Sequence, residues 1–211
     1  MRSIMVLNAK GGCGKSTLAT NLASYYATEK GKKVALADYD PQQSSIDWLA
    51  RRPERVAPIT GVSAYKSGLR GMPRDTEVLI IDAPARSHGK ELENLVKQAE
   101  TIIVPVLPSS IDMLAANRFL EELRPVAHKK AKIAVVANRV RENTLIFETL
   151  DEYLSAMKVP YVGSLRDAQN YVRAYTRGLG IYELPEYLAW PDWEQWHELV
   201  SYLNSKRSRI S

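Results

Sequence analysis

The sequence predicts an α/β fold in which a predominantly parallel β-sheet is flanked by helices. Continuous Val- and Ile-rich runs recur along the chain, and such runs are typical of strands that are covered on both faces. Segments with helical spacing of apolar residues stand between these runs. A glycine-rich loop separates the first apolar run from the first helical segment. Because 211 residues suffice for a sizeable core, we expect one domain over residues 1–211.

The predicted strands and helices alternate in chain order. The apolar runs cover residues 4–7, 34–37, 78–81, 102–106, 133–137 and 159–162. The helical segments are residues 92–96, 114–123 and 145–157, together with the segment after the glycine-rich loop, in which Leu18, Leu22, Tyr25 and Tyr26 share one face. Polar residues follow several of these runs, among them Asp38, Asp82 and Asn138. Since ligands bind at the carboxyl ends of parallel strands, the sequence predicts a binding site at that edge of the sheet.

Two further segments are interpreted from their composition. Residues 51–75 are rich in Pro and Gly, which indicates a loop or short strand at the surface and not a separate domain. The C-terminal segment predicts a helix that is capped by Asp192. One stripe of this helix contains Trp193, Trp196, Leu199, Val200 and Leu203. Its polar side contains Asp192, Glu194 and Glu198, which would repel anionic lipid, so we expect the stripe to pack in the core.

The glycine-rich loop reads Lys10-Gly11-Gly12-Cys13-Gly14-Lys15-Ser16-Thr17. Its glycines let successive backbone N–H groups form a nest for phosphate, and the following helix adds its positive N-terminal end. In a phosphate-binding loop of this kind Lys15 reaches the β- and γ-phosphates of ATP, and the Ser16 hydroxyl ligates Mg²⁺. We therefore expect all eight residues to bind ATP in a P-loop NTPase fold.

The loop departs from the usual motif because Ala9 replaces the first glycine and Lys10 follows it. The K-G-G-x-G-K-[ST] variant is the deviant Walker A motif, and in it the sequence resembles the ParA/MinD family of ATPases. In that family the extra lysine crosses the interface of an ATP-bound sandwich dimer and contacts the partner's phosphates. The resemblance therefore implies a homodimer that forms on ATP binding, with Lys10 as a cation supplied in trans.

The resemblance also assigns roles to the acidic residues at strand ends. Asp82 has the position of the Walker B aspartate, which holds Mg²⁺. Asp38 and Asp40 lie in D-x-D-P-Q, which resembles switch I, where Asp40 would orient the attacking water and Asp38 would lie near the metal. The segment from Asp82 to Arg86 resembles switch II, with a departure that leaves the role of Arg86 open. The predicted catalytic residues are Lys10, Lys15 and Asp40, and the predicted metal ligands are Ser16, Asp38 and Asp82.

The same resemblance places the adenine base near later residues. Asn138 and Arg139 end a late strand, where the family has an asparagine that hydrogen-bonds adenine. Pro185 lies in a stretch that resembles the nucleotide-base loop. The single cysteine, Cys13, excludes the iron–sulfur relatives of the family, because these need paired cysteines.

The expected partners follow from the resemblance to the small plasmid-partition ParA type, which lacks an N-terminal helix-turn-helix domain. It implies a weak ATPase that a ParB-like adaptor stimulates, and a cargo that is a plasmid, a chromosome region or a protein organelle such as a carboxysome. The net charge of +5 fits an anionic partner, and we expect non-specific binding to double-stranded DNA. The predicted DNA-binding residues are Arg166, Arg173, Arg177, Lys206, Arg207 and Arg209, with Lys129 and Lys130 as a second cluster.

Two alternatives remain open. A MinD-like positioning ATPase would dock on a membrane through a basic amphipathic helix, although the acidic side of the predicted C-terminal helix argues against a membrane partner. The other alternative is an interaction module that binds nucleotide but hydrolyses little of it. No apolar run approaches the roughly 20 residues of a membrane span, and no signal-peptide pattern is present. We therefore expect a cytoplasmic protein, and the resemblance to ParA implies that it is nucleoid-associated.

Overall fold

The computed structural model describes residues 1–127 and 131–210. Within them the strands are β1 (Arg2–Val6), β2 (Val34–Asp38), β3 (Ile59–Ser63), β4 (Val78–Asp82), β5 (Thr101–Val106), β6 (Lys132–Val140) and β7 (Tyr161–Arg166). The strand order of the sheet is β3-β2-β4-β1-β5-β6-β7, and the strand pairings are parallel. The predicted parallel α/β fold is confirmed.

In the described residues the first six helices lie between consecutive strands, and the last two follow β7. They are α1 (Lys15–Thr28), α2 (Ser44–Ala50), α3 (Ala64–Ser67), α4 (Gly89–Val96), α5 (Ser110–Ala127), α6 (Leu145–Ser155), α7 (Gln169–Thr176) and α8 (Glu186–Asn204), with short 3₁₀ turns at Ile181–Glu183 and Lys206–Ser208. The predicted first helix is confirmed, and Leu18, Leu22, Tyr25 and Tyr26 are buried. Burial is not limited to one face, because residues 18–27 are all buried. The segment 51–75 contributes the short strand β3 at the sheet edge.

The chain divides into two compact units. The first comprises Met1–Val6, Lys15–Pro84 and Ala168–Trp193, and the second comprises Leu7–Gly14, Ala85–Asp167 and the chain from Glu194 onward. The expectation of one domain over residues 1–211 stays a prediction.

In the first unit, strand register brings two acidic residues together. Parallel pairing of β2 with β4 sets Asp38 opposite Asp82, and pairing of β1 with β4 sets Val6 opposite the same Asp82. Asp38 and Asp82 are the last residues of their strands. Both carboxylates therefore lie at the carboxyl edge of the sheet, where the sequence predicts a binding site.

The segment that follows α7 in the first unit is held by buried polar contacts. The Arg52 guanidinium donates two hydrogen bonds to the Glu183 carboxylate, at 2.6 and 2.9 Å, and both side chains are buried. Gly178 has a φ of +65°, and a Cβ there would lie 2.4 Å from the Arg51–Arg52 backbone. The left-handed conformation and this close approach both require glycine. They fix the path of the chain from α7 into the 3₁₀ turn.

The second unit contains β5, β6 and β7, with Thr101 Oγ1 donating to the Ser208 carbonyl. Strand β6 is longer than predicted and includes Asn138 and Arg139. Its pairing with β7 shifts register between Asn138 and Val140, and Arg139 has a φ of +53°. This irregularity separates Asn138, which is buried, from Arg139, which is exposed.

The predicted cap of the C-terminal helix is wrong. Helix α8 begins at Glu186 and contains Pro191, while Asp192 is fully buried and accepts a hydrogen bond from the Asn170 side chain at 2.7 Å. Proline removes the hydrogen bond to the carbonyl four residues earlier, here that of Tyr187, an exposed residue in the first turn of the helix. The apolar stripe is confirmed by the burial of Trp196, Leu199, Val200 and Leu203, with Trp193 half-buried.

The structure also bears on two expectations about partners. In the described part of the chain, no helix has the length and apolar character that would be needed to cross a bilayer. Lys129 and Lys130, the predicted second basic cluster, lie outside the described residues.

Candidate functional site

The phosphate loop is shaped by left-handed glycines and by its own side chains. Gly12 and Gly14 have φ values of +78° and +94°, which other residues rarely adopt. Asn8 anchors the loop, because its Nδ2 donates to the Pro105 carbonyl at 2.7 Å and its Oδ1 accepts from the Lys10 N–H at 3.1 Å. A Cβ at Gly12 would meet nothing within 4 Å. The glycine is thus required by backbone conformation, and the space beside it is open.

Cys13 is a packing residue within this loop. Its side chain is fully buried, and Sγ donates to the Lys10 carbonyl at 3.3 Å. The Cys13 carbonyl accepts from Asn138 Nδ2 at 2.7 Å. Asn138 therefore supports the phosphate loop from β6, a role that sequence reasoning did not foresee, while its predicted contact with adenine stays a prediction.

Helix α1 begins at Lys15, directly after the loop. The Thr20 hydroxyl donates to the Ser16 carbonyl at 2.8 Å, and Asn21 Nδ2 donates to the Thr17 carbonyl at 2.7 Å. These side chains reinforce the first turn of the helix, which carries Lys15 and Ser16. The predicted order of strand, glycine loop and helix N-terminus is confirmed.

Asp38 anchors the segment that resembles switch I. Its Oδ1 accepts from the Asp40 N–H at 2.9 Å, and its Oδ2 accepts from the N–H groups of Ser45 and Ile46 at 2.8 and 3.3 Å. Burial raises the pKa of Asp38, while these three backbone hydrogen bonds oppose that rise. Asp38 therefore holds the backbone of Asp40 and the start of α2. Its predicted place near a metal stays a prediction.

Asp40 is half-buried, and its carboxylate accepts from the Gln42 N–H at 2.9 Å. Gln43 has a left-handed φ of +54°, and its Nε2 donates to the Asp40 carbonyl at 3.1 Å. The loop that carries Asp40 is thus ordered by local hydrogen bonds. Because Asp40 is only half-buried, its carboxylate remains accessible to solvent.

Asp82 is the most perturbed carboxylate of the first unit. Burial raises its pKa to about 7, with the nearby Asp38 adding to the rise, while the Ser45 and Ser16 hydroxyls and the Lys15 ammonium lower it. The Ser45 hydroxyl donates to Asp82 Oδ2 at 2.7 Å. Sequence reasoning missed Ser45, because only the folded chain brings it to β4.

These residues fit a magnesium ion. In the described residues Asp82 Oδ1 is buried without a hydrogen-bond partner, although a buried oxygen of this kind normally has one. Carboxylate and hydroxyl oxygens are the ligands that Mg²⁺ prefers, and a nearby cation would favour the ionised carboxylate. Asp82 and Ser16 are therefore the residues suited to hold the ion.

Lys10 forms a salt bridge within the second unit. Its Nζ lies 2.6 Å from Asp112 Oδ2, and the Ser109 hydroxyl donates to the same carboxylate oxygen. Asp112 lies in the first turn of α5 and is buried. Nothing in the local sequence pairs Asp112 with a lysine 102 residues earlier, so sequence reasoning missed this contact.

Arg86 adopts a left-handed conformation with a φ of +65°. Its N–H donates to the carbonyl of Ala9 at 3.1 Å, which joins the segment that resembles switch II to the phosphate loop. A non-glycine residue in this conformation is uncommon, and such strain occurs most often at functional sites.

A family model for the CobQ/CobB/MinD/ParA nucleotide binding domain matches residues 4–181, which include all of these elements. The chain belongs to this family. It is 25 % identical over 190 residues to maintenance of carboxysome distribution protein A of Halothiobacillus neapolitanus, covering 86 % of this chain and 87 % of the relative. It is 28 % identical to the chromosome-partitioning ATPase Soj of Thermus thermophilus, covering 74 % and 76 %. A plasmid partition protein of Borrelia burgdorferi bound to AMPPNP has the same fold, with a TM-score of 0.75 at 17 % identity and coverage of 95 % and 98 %.

Membership of the CobQ/CobB/MinD/ParA family does not by itself assign a role to several of the predicted binding residues. Pro185 is exposed at the start of α8. Among the predicted DNA-binding residues, Arg173 and Arg177 belong to the first unit and are exposed, whereas Arg166 in the second unit is half-buried. Lys206, Arg207 and Arg209 are exposed near the end of the described chain. Their roles in binding adenine or DNA stay predictions.

Proposed function

We propose that the chain is a ParA-type ATPase that binds Mg-ATP, dimerises on ATP and moves or positions a cargo on non-specific DNA. The observation that carries the proposal is the phosphate loop, in which Lys10 and Lys15 flank the left-handed Gly12 and Gly14. The chain also belongs to a family of nucleotide-binding domains. Lys15 would bind the β- and γ-phosphates, and the loop N–H groups would bind their oxygens.

Hydrolysis is assigned to groups at the carboxyl ends of β2 and β4. Ser16 and Asp82 would hold Mg²⁺, which when bound would neutralise negative charge on the phosphates. Asp40 would accept a hydrogen bond from the attacking water and so orient it. Asp38 holds the Asp40 backbone through a hydrogen bond of 2.9 Å, and the Asp40 carboxylate accepts the Gln42 N–H at 2.9 Å. Lys10 would neutralise charge on the partner subunit's triphosphate, so ATP would stabilise the dimer by binding it preferentially.

DNA binding and cargo positioning complete the proposal. The net charge of +5 and the exposed Arg173, Arg177, Lys206, Arg207 and Arg209 suit contacts with phosphate, which need no base sequence. Relatives named for carboxysome distribution and for chromosome partitioning support a positioning role on the nucleoid. A ParB-like adaptor would stimulate the weak intrinsic hydrolysis and release the dimer. The cargo would be a plasmid, a chromosome region or a protein organelle such as a carboxysome.

The test is retention of linear plasmid DNA by the purified chain with Mg-ATP, with Mg-ADP and without nucleotide. We expect retention with Mg-ATP alone, with affinity that falls steeply as salt is raised. Equal retention in all three conditions, or none, contradicts the proposal. Sedimentation with anionic vesicles in place of DNA would instead favour the MinD-like alternative.

A further inference from the structure

Ser45 is a buried hydroxyl residue that contacts both aspartates at the strand ends. Its Oγ donates to Asp82 Oδ2 at 2.7 Å, and its backbone N–H donates to Asp38 Oδ2 at 2.8 Å. The residue is fully buried in the second position of α2. One short side chain thus links the start of α2 to the end of β4.

We propose that Ser45 is a positioning residue that fixes the Asp82 carboxylate in the orientation that Mg²⁺ requires. This inference rests on the proposed Mg-ATP site. Because the Ser45 hydroxyl binds Oδ2, the oxygen without a hydrogen-bond partner in the described residues is Oδ1. The hydrogen bond restricts rotation about the Cβ–Cγ bond of Asp82, so Oδ1 keeps one direction. Partners that orient a metal ligand in this way strongly affect metal affinity.

The position of Ser45 depends in turn on Asp38. Helix α2 has no side-chain cap from Gln43, the residue at its N-cap position. Asp38 instead accepts the N–H groups of Ser45 and Ile46, which the first turn of a helix leaves unpaired. Asp38 also accepts the N–H of Asp40. One carboxylate therefore fixes both the hydroxyl that orients Asp82 and the backbone of the residue assigned to the attacking water.

The experiment compares the dissociation constant of ATP in EDTA with that in excess Mg²⁺, for the full chain and for Ser45→Ala. The affinity in EDTA should be unchanged, because the phosphate loop is intact. The gain in affinity on adding Mg²⁺ should fall about tenfold in Ser45→Ala, the scale expected for loss of a residue that orients a metal ligand. Ser44→Ala is the matched control in the same helical turn, and it should keep the full gain.

The outcomes separate this inference from the proposed function. A wild-type gain in folded Ser45→Ala overturns the role of Ser45 and leaves the ATPase proposal standing. No gain from Mg²⁺ in the wild type overturns both. If circular dichroism shows that Ser45→Ala is unfolded, Ser45→Cys is the second variant, because its slightly larger thiol has the same shape and is a weaker donor. It should show a reduced gain, and a full gain in that variant also overturns the inference.

Discussion

Lys10 and Asp112 of the same chain form a salt bridge of 2.6 Å, in which the aspartate side chain is 8 % exposed and the lysine side chain 36 %. A buried carboxylate that loses its cation is strongly destabilised. In the proposed dimer the same ammonium group serves the partner subunit's triphosphate. The salt bridge within the chain and the contact between chains therefore compete for Lys10.

Asp112→Asn should make dimerisation easier, because an uncharged side chain holds Lys10 less strongly. The ATP concentration for half-maximal dimerisation should fall about three- to tenfold, a modest effect since Lys10 is partly exposed. Light scattering coupled to gel filtration measures it. Asp75→Asn, which removes the exposed partner of Lys33, is the control and should leave the midpoint unchanged. A higher ATP requirement in Asp112→Asn would mean that Asp112 assists Lys10 instead of retaining it.

Asp40→Ala should lower phosphate release about 100-fold, as expected for loss of a group that orients water. ATP affinity should stay within about twofold, because Asp40 is assigned no contact with the phosphates. Malachite-green phosphate assays and equilibrium binding of ATP provide the two measurements. Asp47→Ala, an exposed carboxylate on α2, is the matched control. Unchanged release in Asp40→Ala would remove this residue from the mechanism.

The raised pKa of Asp82, about 7, predicts a pH-dependent effect on stability without nucleotide or metal. The folded chain binds the proton more tightly than the unfolded chain, so this group lowers stability as pH rises from the ordinary 3.8 through about 7. Asp82→Asn should remove that cost and raise Tm by about 5 °C at pH 8, with a smaller rise at pH 5. Differential scanning calorimetry measures both values. A lower Tm for Asp82→Asn at pH 8 would contradict the prediction.

Gly178→Ala should destabilise the first unit by about 3 kcal/mol or more. The added Cβ would lie 2.4 Å from the Arg51–Arg52 backbone at a φ of +65°, so clash and backbone strain add. Urea unfolding measures the loss. Gly31→Ala is the control, because Gly31 has a φ of +57° but nothing within 4 Å, and it should cost only about 1 kcal/mol. Equal losses in the two variants would show that the close approach is unimportant.

Local sequence patterns are sufficient to predict those helices and strands whose structure depends on a single segment of the chain. The spacing of Leu18, Leu22, Tyr25 and Tyr26 predicts α1, and the apolar run before Asp82 predicts β4. The acidic residues at the ends of β2 and β4 were identified in the same way, because parallel strands end at one edge.

Contacts between distant segments could not be predicted. Ser45 and Asp112 carry no local motif, and each acquires its partner only when the chain folds. The predicted start of α8 is seven residues too late, because nothing local shows that Asp192 is buried against Asn170 instead of capping the helix.

The central claim is that ATP joins two chains through Lys10. Gel filtration with light scattering on Asp40→Ala, in which hydrolysis is blocked, tests it with Mg-ATP and with Mg-ADP. The account predicts a dimer with Mg-ATP, a monomer with Mg-ADP, and a monomer in both nucleotides for the double variant Lys10→Ala/Asp40→Ala. A monomer of Asp40→Ala at saturating Mg-ATP, or a dimer that persists without Lys10, would contradict it.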